Sequence, residues 1–224
     1  MCSRREADRL LKEGLITVNG NVAGIGDKVE DTDHIEINGT PIKTTNKLVY
    51  IVLNKPKGIT STTDESDPTN IVKFVNFPTR IFHIGRLDKD SEGLILLTND
   101  GDIVNKILRS GNAHEKEYVV KVDKQITSSF LKSMASGVHI LGKTTKPAYT
   151  EIIDNFHFRI VLTEGMNRQI RRMCTTFGYH VTRLMRVRIM NITTDGLAVG
   201  KWRYLTNEEI ETVHKLTKES KKTI

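Results

Sequence analysis

Cysteine is nearly absent from the 224 residues: only Cys2 and Cys174 occur. Two thiols cannot build a disulfide framework or a four-ligand zinc site. Nowhere does the chain approach the ~18 consecutive apolar residues of a membrane-spanning helix. Its start, MCSRREADRLLKEG, is charged and lacks the apolar core of a secretory signal. A cytoplasmic protein is therefore expected, and the sequons at Asn38 and Asn191 carry no meaning in that compartment. Acidic residues are also short. With 27 Asp and Glu against 34 Lys and Arg, the net charge is +7 and the pI about 9.4. Such an excess points to an anionic partner, nucleic acid before membrane, with a merely basic surface as the plainer alternative.

What remains is an ordinary globular composition, 38% hydrophobic and low in proline, long enough for one large domain or one domain plus a small one. Residues 3–13 read as a helix opened by a Ser3/Glu6 capping box and closed by Gly14. ITVNGNVA and HIEINGTPI read as two hairpins, each turning on Asn-Gly. Together they predict a small module over residues 1–44. Residues 45–224 begin with LVYIVLNKP, an apolar strand stopped by Pro56 and Gly58. Further strands are expected near 81–84, 92–98, 117–122, 148–153, 157–163 and 182–190. Helices are expected near 69–76, 101–109, 126–136, 166–177 and 206–216, the last with a Thr206/Glu209 capping box. Irregular alternation predicts an α+β fold rather than a doubly wound sheet. The closing KLTKESKKTI reads as a mobile basic tail.

Two motif matches fail on context. GVHILGKT (137–144) fits the phosphate-loop pattern literally, but that loop needs a strand before it and a helix after it. Here a helical stretch precedes it, and Pro147 and a strand follow. DKDSEGLILLTN (88–99) starts like a calcium loop, yet its twelfth position is Asn99 rather than a bidentate Glu, and a strand follows Gly93. Neither a nucleotide cofactor nor a metal is expected.

The informative stretch is HIGRLDKDSEGLILLTNDG (83–101), two apolar strands joined by a loop bearing Arg86, Asp88, Asp90 and Glu92. On its own, Asp88 reads as a turn or ion-pair aspartate before a catalytic one. The stretch GRLDKDSEGLILLTNDG resembles the catalytic motif of the bacterial rRNA pseudouridine synthases grouped as the RsuA/RluB/RluE/RluF family. Three other stretches resemble that family in the same order: NKPKG (54–58), HEKEYVV (114–120) and EGMNRQIRRMCTTFGYHVTRLMRVRI (164–189). The N-terminal CSRREADRLLKEG…ITVNG is similar to the RNA-binding domain of ribosomal protein S four. NIVKFVNF, NKILRSGNAHEKEY and NRQIRRMCTTFGY look most similar to the large-subunit synthase F type. One departure stands out. The family's small domain has another helix before SRREADR, so the module reads as N-terminally trimmed.

The resemblance implies a catalytic domain on a mixed, mainly antiparallel sheet flanked by helices. It implies isomerisation of a uridine in structured RNA, 23S rRNA by the synthase F likeness, with no cofactor. The family aspartate falls on Asp88, working at the sugar by attack at C1′ or by removal of a C2′ proton. Arg171 matches the arginine that pairs with it, and Tyr118 the active-site tyrosine, a stacking surface for uracil. A base inside a stem must be flipped out; Arg86 matches the residue that fills the gap, and Ile189 would wall the base. Lys55, Lys116, Asn167, Arg168 and Arg172 are expected to bind RNA, with Arg4, Arg5 and Arg9 of the small module, on a monomeric enzyme. The rivals are an RNA-binding assembly factor of the same fold, or a synthase acting on small-subunit rRNA or tRNA.

Overall fold

The structure, a computed structural model, describes residues 4–30, 32–42, 47–108 and 114–218. The chain divides into two compact units, Met1–Lys47 and Leu48–Ile224. The expected boundary at 44/45 lies outside the described residues, as does Ser3.

The first unit opens with α1 (Arg4–Lys12). Gly14, at φ +70°, ends it in a Schellman cap: its amide donates to the Leu11 carbonyl and that of Leu15 to Leu10, both at 3.0 Å. Strands β1 (Ile16–Val18), β2 (Asn21–Val22), β3 (Ile35–Ile37) and β4 (Thr40–Pro41) form a sheet in the order β2-β1-β3-β4. Both hairpins turn on two residues. Asn19-Gly20 and Asn38-Gly39 all have positive φ, the type I′ geometry whose twist matches the strands.

The second unit carries one nine-stranded sheet and five helices among the described residues. In chain order these are β5 (Tyr50–Lys55), α2 (Ile71–Val75), β6 (Phe82–Ile84), β7 (Glu92–Thr98) and α3 (Gly101–Leu108). There follow β8 (Lys116–Val122), α4 (Ser128–Ala135), a separate hairpin β9 (His139–Ile140) and β10 (Lys143–Thr144), β11 (Tyr149–Ile152) and β12 (His157–Leu162). The chain continues through α5 (Gln169–Thr176), β13 (Val181–Ile189), β14 (Ile192–Thr193), β15 (Trp202–Tyr204) and α6 (Asn207–Thr217). The sheet runs β11-β12-β8-β13-β7-β5-β15, with β14 on β13 and β6 on β7. Among its described strands only β7 and β13 pair in parallel, so it is mixed and mainly antiparallel. The expected α+β architecture is observed.

One detail of this sheet positions everything that follows. On the edge of β7 away from β5, β13 pairs with Glu92 and Gly93 while β6 pairs with Leu96 to Thr98. The sheet forks there, and the loop from Gly85 to Ser91 turns between the two prongs. Gly93 makes the fork possible. Its φ is +104°, and a Cβ on it would lie 2.2 Å from the Arg186 carbonyl oxygen.

Three apolar clusters hold the unit. α4 and α5 cover Val120, Phe158, Ile160 and Leu184; α3 and α6 cover Val52, Leu94 and Leu96; α2 covers Ile51, Leu53, Ile95 and Leu97. The alternation of Leu94 and Leu96 against Ile95 and Leu97 splits β7 between two layers, as a strand buried on both faces requires. The capping box of α6 forms as expected, Thr206 Oγ1 accepting from the Glu209 amide and Glu209 from the Thr206 amide. Yet α6 continues through Thr217, which is buried. The expected basic tail from 215 is corrected to that extent, because Thr217 packs inward and caps its hydroxyl on Val213; residues 219–224 lie outside the description.

Candidate active site

The loop at the fork is anchored on both sides of Asp88. Ser61 Oγ donates to the Leu87 carbonyl at 2.8 Å and accepts from the Leu87 amide at 3.1 Å. The Gly58 amide donates to the Lys89 carbonyl at 2.8 Å, and the Ser91 amide to the Asp88 carbonyl at 3.0 Å. Gly58 sits at φ +88°, the turn the NKPKG stretch must make to reach Lys89. Asp88 thus has a fixed backbone and a side chain about one-third exposed, at 32%.

Facing it is the entrance to α5. Arg168 is the N-cap residue, left-handed at φ 50°, off the helix rather than on it. Its Nη1 lies 3.5 Å from Asp88 Oδ2, and its two Nη atoms fork onto Asp90 at 3.2 and 3.3 Å. Arg171, one turn on, contacts Asp90 Oδ2 at 3.2 Å and donates to the Asp90 carbonyl, Ser91 Oγ and Val181 carbonyl. This corrects the expected pairing. The guanidinium beside Asp88 is that of Arg168, because its left-handed backbone takes it off the helical path towards the loop, while Arg171 is consumed by Asp90 and the loop backbone. Burial pushes the Asp90 carboxyl up, but the hydrogen bonds of Arg168 and the charges of both arginines outweigh it and hold it below the usual range.

Between loop and helix lies a cleft of about 470 Å³. Arg86 and Asp88 form one lip, Asn167 and Arg168 the other; Lys116 and Tyr118 of β8 line it between them, and Leu162, Ile170 and Leu184 supply apolar wall. Arg86 is exposed and Tyr118 half-buried. Six of the expected residues of the large unit, Arg86, Asp88, Lys116, Tyr118, Asn167 and Arg168, therefore converge, whereas Arg171 and Arg172 line a neighbouring groove and two further ones line neither. Lys55 is fully buried. It is the last residue of β5, and its Nζ donates to the Pro56 and Ile59 carbonyls at 2.9 Å each. Burial pulls the ammonium down to about 8 against the pull of Asp90, Asp88 and Glu92, so it is a structural cation and not an RNA contact. Ile189 is the other. The short strand β14 folds back on it, Ile189 opposite Ile192, and both bury with Ile84, Leu94 and Leu96 in a core cluster away from the cleft.

Arg172 lines a neighbouring groove instead, its Nε and Nη2 donating to Asn167. In the small unit Arg4 and Arg5 are exposed, whereas Arg9 is tied to Glu6 and Glu13 along the helix. The GVHILGKT stretch forms the β9–β10 hairpin after α4, a geometry with no helix N-terminus for a phosphate.

Three contributors escaped sequence reading. Arg186 is 4% exposed, lines the cleft, and donates from Nε to the Leu94 carbonyl at 2.7 Å. Ser61 anchors the loop from 26 residues away. Glu164 accepts from Gln169 Nε2 at 2.9 Å on the far wall. Only Arg186 left a trace, a charge two residues on from Leu184 and so on the same face of the strand.

Comparison with known proteins extends this geometry. The profile of the RNA pseudouridylate synthase family matches residues 49–176, and that of the S4 domain residues 1–35. The chain is 55% identical over 218 residues to the dual-specificity RNA pseudouridine synthase RluF of Salmonella typhi, covering 96% of this chain and 75% of that protein. It is 35% identical over 230 residues to the ribosomal large subunit pseudouridine synthase B of Bacillus subtilis, covering 99% and 94%. A crystal structure of a pseudouridylate synthase superposes with a TM-score of 0.72 at 29% identity, covering 94% of each chain.

Proposed function

This chain belongs to the RNA pseudouridylate synthase family, with an S4 domain at its N-terminus, and from that membership we propose that Asp88 is the carboxylate with which it isomerises a uridine of structured 23S rRNA. It is an enzyme with an RNA substrate. The observation that carries the site is the meeting of Asp88, Arg86, Tyr118 and Arg168 around one cleft, on a loop whose backbone is anchored on both sides of the aspartate.

The reaction breaks the bond between N1 of uracil and C1′ of ribose, turns the base, and joins C5 to C1′. The C5 proton leaves and N1 gains one, so composition is unchanged and no redox partner enters. Asp88 works at the sugar, either by attack at C1′ or by taking the C2′ proton. A rigid loop suits both, since each requires the carboxylate to hold its place while the base turns. Arg168 fixes its orientation across the cleft. Tyr118 offers its ring to the flipped uracil, backed by Leu162 and Leu184, and Arg86 at the lip fills the vacated stack. Arg171 acts through Asp90 as a positioning residue. Lys116, Asn167 and Arg172 contact the RNA with Arg4 and Arg5, on a cytoplasmic monomer.

The large-subunit assignment rests on the likeness to the synthase F type and on the name of the Bacillus subtilis relative. Carbodiimide-stop mapping of pseudouridines in total RNA, from cells with and without the gene, tests it. One or a few positions in 23S rRNA should lose their stops in the deletion and regain them on complementation. Loss confined to 16S rRNA or tRNA would overturn the assignment.

A further inference from the structure

The hairpin β9–β10 stands against α5, and the two enclose a groove of about 500 Å³ that adjoins the cleft through a shared wall residue, Arg168. Three features of the groove lie outside the Asp88 cleft. Arg172 is exposed, and among the described residues no carboxylate pairs with it; its Nε and Nη2 reach only Asn167. Thr175 and Thr176 also line the groove, and both hydroxyls donate to carbonyls four residues back, those of Arg171 and Arg172. Their protons spent, these oxygens present only acceptor lone pairs. The third feature is the hairpin tip, Leu141, 52% exposed at φ 51° and followed by Gly142 at φ 74°.

The two hairpins of the small unit place Asn before Gly, the residue that tolerates positive φ at least cost. At the β13–β14 turn that position holds Met190, at φ 50° but buried; at the β9–β10 tip it holds Leu141, strained in the same way and with its apolar surface in water.

We propose that this groove is a second RNA subsite, holding the strand that flanks the target uridine. Arg172 takes a backbone phosphate, the hydroxyl oxygens of Thr175 and Thr176 accept from a ribose 2′-OH, and Leu141 packs against a base it displaces from the stack. The cation supplies salt-dependent affinity, the acceptor pair favours RNA over DNA, and the leucine keeps the opened strand from closing. The inference rests on the reading of the Asp88 cleft as the catalytic site, since the flanking strand reaches the groove only when the uridine is in that cleft.

Leu141→Asn is the informative variant, because asparagine suits the turn and the fold should melt no lower than wild type. Pseudouridine formation is measured on a paired stem containing the target and on the target strand alone. We expect kcat/KM on the stem to fall about tenfold or more, the worth of one base contact, with a clearly smaller loss on the single strand. Arg172→Gln should weaken binding and reduce the slope of log affinity against log salt by about one phosphate contact. Deoxyribose substitution in the flanking nucleotides should weaken binding to the wild type more than to the Thr175→Val, Thr176→Val double variant. Equal losses on both RNAs, or an unchanged salt slope, overturn the subsite while leaving the catalytic reading intact. Failure of the wild type on either RNA would overturn the catalytic reading itself, and the subsite with it.

Discussion

The two units of this chain are held together by different physics. In the small unit Ala23 is the only hydrophobic side chain fully buried among the described residues, while Val22, Ile25 and Val29 are 67%, 58% and 49% exposed. Its order comes from local chemistry: two Asn-Gly turns, a Schellman cap, and hydrogen bonds such as Asn19 Nδ2 to Asp33 at 2.8 Å. The large unit instead encloses three apolar clusters and a strand, β7, buried at every position. Local turn chemistry specifies a shape with little resistance to deformation, which suits a surface that adapts to RNA. Burial on both faces of β7 fixes the start of that strand, and the loop bearing Asp88 runs directly into it.

The sharpest way to break this division is at Asp88. Asp88→Asn should lower pseudouridine formation by at least about 10³-fold, with RNA affinity within a few-fold of wild type and an unchanged melting profile. A comparable loss of affinity would mean that chemistry and binding are not separable as described. Gly93→Ala comes next. The new Cβ meets the Arg186 carbonyl oxygen at 2.2 Å and its nitrogen at 2.8 Å, so the large unit should lose about 4 kcal/mol or fail to fold. Hydrogen exchange in residues 4–30 should meanwhile stay as it was, and a concerted loss would show one cooperative unit. In the cores, Leu53→Ala should cost about 2–5 kcal/mol, whereas half-buried Ile16→Ala should cost about 1 kcal/mol or less, by urea denaturation followed separately in each unit.

The smallest effect concerns pH. Lys55 is held at about 8, below its ordinary 10.5. Below pH 8 both folded and unfolded chains carry the proton, and the cost of burying the charge is constant. Between about pH 8 and 10.5 the folded chain has released it and the unfolded chain has not, so stability rises with pH through that window, by up to ~3 kcal/mol. In Lys55→Met that rise should vanish; an unchanged slope would mean the ammonium is better solvated than its burial indicates.

Most of the fold was legible because its signals are local. Asn19-Gly20, Asn38-Gly39 and the Thr206/Glu209 cap are decided within four residues, and β7 announces itself by an unbroken apolar run. The short strands β9, β10, β14 and β15 were not expected, since two or three residues carry no period. In the site, Asp88, Tyr118 and Arg86 were found by resemblance and converge on one cleft. Lys55 and Ile189 were placed by residue type, cation for RNA and apolar for base, when their strand ends turn them inward. Arg171 was placed by its match to the family arginine, and a single left-handed residue at 168 puts another guanidinium beside Asp88.

The parallel pairing of β7 with β13 also sets when the enzyme can exist. The loop bearing Asp88 is made early, but the strand that closes the fork beside it, through Met185 and Arg186, comes some ninety residues later. On a translating ribosome the first three strands of the sheet can pair as β5, β6 and β7 emerge, with that edge of β7 bare beside the aspartate. Arg168, Arg171 and the cleft's far wall arrive only with α5 and β13. A chain interrupted before residue 166 therefore carries Asp88 and its loop but neither α5, with Arg168 and Arg171, nor β13. The cleft around Asp88 is therefore assembled only once β13 has been made.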